Sequence, residues 1–108
     1  MSMAGLQAVF YRDSNGLEPV NDFIDALDPK AQDALDWHIS LLNALDEGDP
    51  PLAFPHSSQV DGELRELRCH HGRQLFRILY RRSEKLFVLL HAFEKRTAKV
   101  PVGEIRIA

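Results

Sequence analysis

The sequence predicts an α+β domain in which two helices pack on one face of an antiparallel sheet. Apolar residues recur at helical spacing between positions 20 and 45. Three apolar and aromatic runs with short polar connections follow between positions 64 and 93. Because the chain has 108 residues, we expect a single domain over 1–108.

The first half is predicted to hold one strand and one short helix. Residues 6–11 form an apolar and aromatic run, and residues 13–16 carry strong turn chemistry. Pro19 suits the first turn of a helix, where no backbone N–H is needed. Apolar residues then fall at i, i+3, i+4 and i+7, which is one helical face, at Val20, Phe23, Ile24 and Leu27.

A second helix is predicted to begin at Asp28, as N-cap, with Pro29 at its first position. Its buried stripe consists of Leu35, His38, Leu42 and Leu45, so we interpret His38 as structural. Gly48 is expected to stop this helix. Residues 49–60 hold three prolines and little periodicity, which predicts a loop.

The second half is predicted to be a three-stranded antiparallel meander over residues 64–69, 74–81 and 86–93. The connections 70–73 and 82–85 are short enough for hairpins. Pro101 ends the β region and is placed to open a final helix.

The charges are segregated along the chain. Residues 1–63 carry twelve acidic and two basic side chains, whereas residues 64–108 carry eleven basic and four acidic ones; the net charge of −3 conceals this asymmetry. The basic half can face a polyanion such as RNA. The alternative is that the two halves simply attract each other within the fold.

The first hairpin gives the most specific site prediction. If its turn is His71-Gly72, then Glu66 lies opposite Arg77, and one face carries Glu66, Arg68, Arg73 and Arg77. The other face is apolar, with Leu67, Cys69, Phe76, Ile78 and Tyr80. Guanidinium groups on a rigid sheet suit phosphate binding and can stabilise charge in a transition state. A salt-bridged solvent face is the competing interpretation.

A second cluster closes the last strand. Lys95, Arg96 and Lys99 add three bases to the same half of the chain. Phe93 can stack on an unpaired base or belong to the core. His91 can transfer a proton near neutral pH or be a packed structural residue.

Several classes of protein are not indicated. One cysteine, Cys69, gives neither an internal disulfide nor a metal-site spacing, and the adjacent His70 and His71 would point apart in a strand. No phosphate-binding glycine loop or nucleophilic triad stands out, so we expect no metal and no cofactor. No apolar run is long enough to span a bilayer and no signal peptide is recognisable, which favours the cytoplasm.

Three strand motifs, taken in order, resemble those of the phage-derived HigB-like toxins in the RelE/ParE superfamily. Residues 62–68 resemble the "G-L-x-E-L-R" strand, residues 76–80 the "Y-R-I-L-Y" strand, and residues 88–101 the closing "L-L-H-G-F-x-K-K-T-x-K-x-P". Pro19-Val20 and residues 23–27 resemble the start of the helical hairpin. The resemblance covers roughly residues 8–108.

The resemblance implies a RelE-like toxin domain of a type II toxin–antitoxin system, here with a C-terminal helix that is shortened or absent. The implied activity is a metal-free mRNA endoribonuclease, an mRNA interferase that acts at the ribosome and inhibits translation. The implied partners are mRNA and a helix-turn-helix, HigA-like antitoxin, which we expect to cover the basic sheet face or to clamp the helical hairpin.

The basic active-site positions of the family fall on Arg68, Arg77 and Lys95. In the implied mechanism the 2′-hydroxyl of the substrate attacks the adjacent phosphorus, Arg77 and Lys95 stabilise the pentacoordinate phosphate, and Arg68 holds a neighbouring phosphate. Candidates for the acid and base are His91, Tyr80 and Glu66, and candidates for substrate binding are Arg73, Phe93, Arg96 and Lys99. Two alternatives stay open on the same fold: a gyrase-inhibiting ParE-like toxin and a non-catalytic binding module.

Overall fold

A computed structural model describes residues 5–95, which form two helices and a five-stranded mixed sheet. The elements in chain order are β1 (Gln7–Phe10), α1 (Pro19–Asp25), α2 (Pro29–Asn43), β2 (Ser57–Asp61), β3 (Leu64–His71), β4 (Gln74–Ser83) and β5 (Leu86–Glu94). The predicted α+β class is confirmed, but the sheet is mixed rather than antiparallel throughout. The sheet order is β1-β5-β4-β3-β2, with β1 parallel to β5 and every other pair antiparallel.

The helices form where the sequence places them. Pro19 and Pro29 each occupy a first-turn position, and the Asp28 carboxylate accepts a 3.0 Å hydrogen bond from the backbone N–H of Ala31. The α2 stripe is buried at Leu35, His38 and Leu42. None of the helices formed by residues 5–95 is long and apolar enough to cross a membrane.

The end of α2 differs from the prediction. The helix ends at Asn43, and Gly48 lies beyond it in a turn, at a φ of 91°. Asn43 and Leu45 instead accept hydrogen bonds from the backbone of β1 and of the residue just before it. The Asn43 side-chain oxygen accepts a 2.7 Å hydrogen bond from Ala8 N–H, and the Leu45 carbonyl accepts one of 2.9 Å from Leu6 N–H.

The predicted loop 49–60 is wrong at its C-terminal end, where β2 (Ser57–Asp61) pairs with β3. This strand is polar, short and at the edge of the sheet, so it lacks the apolar alternation by which central strands are recognised. The three prolines all precede it.

One face of the sheet builds the core with the helices. Leu67, Cys69, Phe76, Ile78 and Tyr80 are buried there against residues of α1 and α2, as the alternation predicts. Phe23 of α1 meets Phe76 edge-on, with ring centroids 5.9 Å apart. The opposite face, which we call the polar face, carries Glu66, Arg68 and Arg77. Because the core fixes every second residue of β3 and β4, it also fixes which side chains reach the polar face.

Candidate active site on the polar face of the sheet

The first hairpin turns one residue later than predicted. His71 pairs with Gln74, so the turn is Gly72-Arg73 rather than His71-Gly72. Gly72, at a φ of 59°, takes the first central position, where a two-residue turn needs positive φ. A turn at His71-Gly72 would instead put His71 at the first central position. A positive φ there costs histidine free energy, because its side chain is crowded in a conformation that glycine adopts freely.

The later turn takes Arg73 out of the predicted group and leaves its other three members on one face of the sheet. Arg68 lies directly opposite Arg77, and Glu66 lies opposite Leu79 rather than opposite Arg77 as predicted. The shift preserves parity, so Glu66, Arg68 and Arg77 still share the polar face. Arg73, by contrast, lies in the exposed turn and is not part of a strand face.

Glu66 is the common hydrogen-bond acceptor on the polar face. Its Oε1 accepts hydrogen bonds from Arg77 Nη1 at 2.5 Å, from Ser58 Oγ at 2.8 Å and from Arg68 Nη1 at 3.5 Å. The Glu66–Arg77 contact is diagonal, between residues that are neighbours but not direct partners across β3 and β4. A single carboxylate oxygen therefore holds two guanidinium groups together.

The centre of this network is buried. The side chain of Arg77 is 1% exposed and that of Glu66 is 6% exposed, whereas that of Arg68 is 17% exposed. Within the chain as described, Glu66 Oε2 and Arg77 Nε are buried without a hydrogen-bond partner. The resemblance implies that Arg77 and Lys95 stabilise the scissile phosphate, but the burial of Arg77 leaves Arg68 as the more accessible of the two arginines.

Burial of the Arg77 side chain lowers the pKa of its guanidinium. The Glu66 carboxylate opposes this shift, and the Arg68 cation reinforces it. Arginine nonetheless stays protonated in proteins, so Arg77 remains a fixed positive charge.

Lys95 lies within the field of the same cluster. Desolvation lowers the pKa of Lys95, Arg77 and Arg68 lower it further, and Glu66 opposes them. Its backbone N–H donates a 2.8 Å hydrogen bond to the Leu75 carbonyl, which ties it to the start of β4. Arg68, Arg77 and Lys95 together outweigh the Glu66 carboxylate in charge, which favours a phosphate at this group of side chains.

The last strand brings two further candidates to this face. Phe93 is the direct partner of Arg77, and His91 is the direct partner of Leu79. Both are half-buried, and their rings stack with centroids 6.0 Å apart. The structure therefore brings together Arg68, Arg77, His91, Phe93 and Lys95. Arg96 and Lys99 lie outside the described residues.

Tyr80, a predicted acid or base, is on the other side of the sheet. It is 1% exposed in the core, and its hydroxyl shares a 2.6 Å hydrogen bond with Ser57 Oγ. A β-bulge between Leu79 and Tyr80 changes the pairing with β5 at this point. Tyr80 therefore has no route to a substrate on the polar face.

Residues 53–56 contribute an aromatic ring that the sequence analysis missed. The Arg68 guanidinium carbon lies 4.8 Å from the centroid of the Phe54 ring, and Arg68 Nε donates to the Pro55 carbonyl at 3.1 Å. Phe54 stands in the proline-rich segment, where periodicity gives no signal, and no local pattern links it to β3. Only the pairing of β2 with β3 brings it there.

Two further features lie apart from the cluster. A pocket of about 130 Å³ opens beside Leu52, Arg65, Tyr80 and Phe87, and Tyr80 is the one predicted site residue among those that line it. Across residues 5–95, no three His, Cys, Asp or Glu side chains are grouped so that they can hold a metal ion.

Comparison with known proteins identifies the family. The family model described as "Phage derived protein Gp49-like (DUF891)" matches residues 22–108, which is most of the chain. The chain belongs to this Gp49-like family. The family is part of the RelE/ParE-like toxin superfamily and is associated with RelE-like toxin nucleases. No curated protein matches the chain in sequence.

Proposed function

We propose that this Gp49-like protein is a HigB-type toxin that cleaves mRNA at its polar face without a metal ion. The observation that carries the proposal is that Glu66 Oε1 binds both Arg68 and Arg77, while Lys95, tied to the start of β4, is close enough to interact electrostatically with all three. Such a site attracts a phosphodiester, and its partial burial strengthens every charge interaction within it.

The residues have distinct roles in this proposal. Arg68 and Lys95 are less buried than Arg77, so they contact the phosphate and stabilise the charge that develops on it. Arg77 acts from beneath as a fixed positive charge. Glu66 is a positioning residue, because its Oε1 is bonded to both arginines.

The reaction uses the substrate's own nucleophile. The 2′-hydroxyl forms a bond to the adjacent phosphorus while the bond to the 5′ oxygen of the next nucleotide breaks, which leaves a 2′,3′-cyclic phosphate. His91, half-buried on the same face, takes the 2′ proton. The ammonium of Lys95 gives a proton to the departing 5′ oxygen, and its lowered pKa makes it a better donor than an ordinary lysine.

The biological setting that we propose is the one implied by the resemblance to HigB-like toxins. The cleavage takes place on ribosome-bound mRNA in the cytoplasm and arrests translation. A helix-turn-helix antitoxin silences the toxin by covering the polar face. The acidic half of the chain, with Arg12 and Lys30 as its two bases, offers the partner a second surface of opposite charge.

The test is RNA cleavage by the purified full-length chain, with and without ribosomes. We expect new mRNA ends with 2′,3′-cyclic phosphates, produced equally well by protein that is treated with EDTA and freed of it before it is added to the RNA. Lys95→Ala is expected to remove them. Arg81→Ala is the matched control, since Arg81 is an exposed arginine at the far end of β4, bonded to Glu63 at 2.9 Å.

Other outcomes decide against the proposal. Intact RNA together with inhibited supercoiling by gyrase would indicate a ParE-like toxin. Intact RNA with no effect on gyrase would indicate a binding module. Cleavage that survives Lys95→Ala would remove Lys95 from the mechanism.

A further inference from the structure

Phe54 is the most exposed large apolar side chain among residues 5–95, with 69% of its surface accessible. It stands in the turn that leads into β2, at the edge of the sheet where Arg68 reaches outward. Exposure of a large ring costs hydrophobic free energy, and one isolated ring needs no explanation by itself. The Phe54 ring calls for an explanation because it lies beside Arg68, an arginine of the candidate site.

One contact of the ring is with a site arginine. The Arg68 guanidinium lies 4.8 Å from its centroid, close enough for a cation–π contact. Since most of the ring is still accessible, the face away from Arg68 is turned to solvent. Such a half-covered ring is suited to stacking, because the guanidinium fixes its orientation and leaves one π-face free.

The backbone around the ring is also fixed. The Ala53 carbonyl accepts hydrogen bonds from His56 N–H at 3.0 Å and from Ser57 N–H at 3.1 Å. Arg68 binds the same turn twice, through Nε to the Pro55 carbonyl and through its backbone N–H to the His56 carbonyl. A ring on an anchored turn loses little conformational entropy when a ligand stacks on it.

We propose that Phe54 is a stacking platform for one unpaired RNA base, and that Arg68 binds a phosphate next to that base. This inference rests on the proposed function and extends it to a residue that selects and positions the substrate. A nucleotide supplies both features that the site matches, a π-face for the ring and an anion for the guanidinium. The cations around Glu66 favour this polyanion over a neutral protein segment of the same size, and an acidic segment without aromatic side chains offers no π-face to the ring.

The test combines protein variants with altered RNA. Phe54→Leu removes the ring and keeps apolar bulk, and Phe54→Trp keeps an aromatic face. Phe10→Leu is the matched control, because Phe10 is a partly exposed phenylalanine on β1, at the opposite edge of the sheet. Each full-length variant is titrated with single-stranded RNA oligonucleotides in which one nucleotide at a time is abasic, and cleavage kinetics are measured in parallel. Circular dichroism is used to check that each variant is folded.

Phe54→Leu is expected to raise KM and the dissociation constant about tenfold with little change in kcat, while Phe54→Trp and Phe10→Leu stay near wild type. One abasic position should weaken the wild type and leave Phe54→Leu unaffected. If Phe54→Leu binds and cleaves like the wild type, and each abasic position costs both proteins equally, the stacking role is wrong while the proposed nuclease stands. A Phe54→Leu protein that keeps RNA binding and loses only its antitoxin would make the ring a protein contact. A wild type that neither binds nor cleaves RNA, in the presence of ribosomes as well as in their absence, overturns both proposals.

Discussion

The carboxylate of Glu66 and the guanidinium of Arg77 form an ion pair that is almost wholly buried on the polar face, with 2.5 Å between Oε1 and Nη1. The pair is diagonal across β3 and β4, and Arg68 joins it from the same side. Removal of one charge from such a pair leaves the other desolvated and uncompensated, which destabilises more than the loss of the contact itself.

Arg77→Met is therefore expected to lower the free energy of unfolding by about 3–5 kcal/mol, measured by urea denaturation. The double variant Glu66→Leu, Arg77→Met should recover most of that loss, because two apolar side chains leave no buried charge. Equal stability of Arg77→Met and the wild type would contradict the buried pair. Any loss of cleavage in Arg77 variants must accordingly be corrected for the folded fraction.

Lys95 is expected to set the upper limit of the pH range for cleavage. Its role requires the ammonium form, so activity should fall as pH rises through its pKa, which burial and the neighbouring arginines hold below the ordinary lysine value. Lys95→Arg keeps the charge and does not titrate in this range, so any residual activity should lack that fall. The measurement is the pH dependence of kcat. Identical high-pH limbs in both proteins would assign the fall to another group.

Tyr80→Phe is expected to leave cleavage unchanged and to cost about 1 kcal/mol of stability. The hydroxyl that it removes bonds Ser57 Oγ in the core, and Ser57 Oγ keeps its 3.2 Å hydrogen bond from Arg65 Nε. Thermal unfolding and the RNA assay measure the two effects. A folded Tyr80→Phe protein without activity would mean that the tyrosine reaches the substrate after all.

His38 should make the fold less stable in mild acid. Burial lowers its pKa, the hydrogen bond with the Ala34 carbonyl opposes this, and His56 and His70 add to it. The unfolded state therefore binds a proton more readily than the folded state. Its contribution is fully present above the pKa of an unfolded histidine, about 6.5, and is lost as pH falls from there through the folded value.

The free energy of unfolding, measured from pH 7.5 to pH 5, should accordingly fall less steeply in His38→Leu than in the wild type. His56→Leu is an informative companion, since it removes a neighbouring positive charge in acid and should reduce the slope by a smaller amount. Parallel curves for His38→Leu and the wild type would show that the acid sensitivity has another source.

Cys69 is expected to resist alkylation in the folded protein. It is buried in the core, and burial raises the pKa of its thiol to about 12, with Arg77 opposing the rise. Iodoacetamide labelling should therefore follow global unfolding, with a midpoint in urea that matches circular dichroism. Rapid labelling in native buffer would place the thiol nearer the surface.

The sequence predicts the core side of the sheet well and its edges poorly. The alternation in β3 and β4 assigns Glu66, Arg68 and Arg77 to one face even though the turn was placed one residue early. The reason is that the error moved the register by two and kept its parity. The choice between His71-Gly72 and Gly72-Arg73 depends on which residue takes positive φ, a detail that hydrophobic patterning does not contain.

The sequence predicts which charged residues form the site but not how deeply each one is buried. Charge segregation and strand parity bring forward the arginines, but they do not show that Arg77 would be 1% exposed and bonded to Glu66. Nothing local to Phe54 links it to Arg68 either. Its placement depends on β2, whose polar sequence, Ser57–Asp61, gives no strand pattern. Long-range pairing decides both features, and a single sequence encodes it only weakly.

The parallel pairing of β1 with β5 also affects how the chain is made. Gln7 lies opposite Leu86, so the first strand waits for nearly the last of the described residues before it gains a partner. During synthesis the helices and β1 leave the ribosome early, and the strand that carries His91 and Phe93 leaves late. Loop closure over such a distance makes this pairing slow, whereas the β3–β4–β5 meander closes through short turns. A nascent chain therefore cannot assemble its polar face until the strand that carries His91 and Phe93 has been translated.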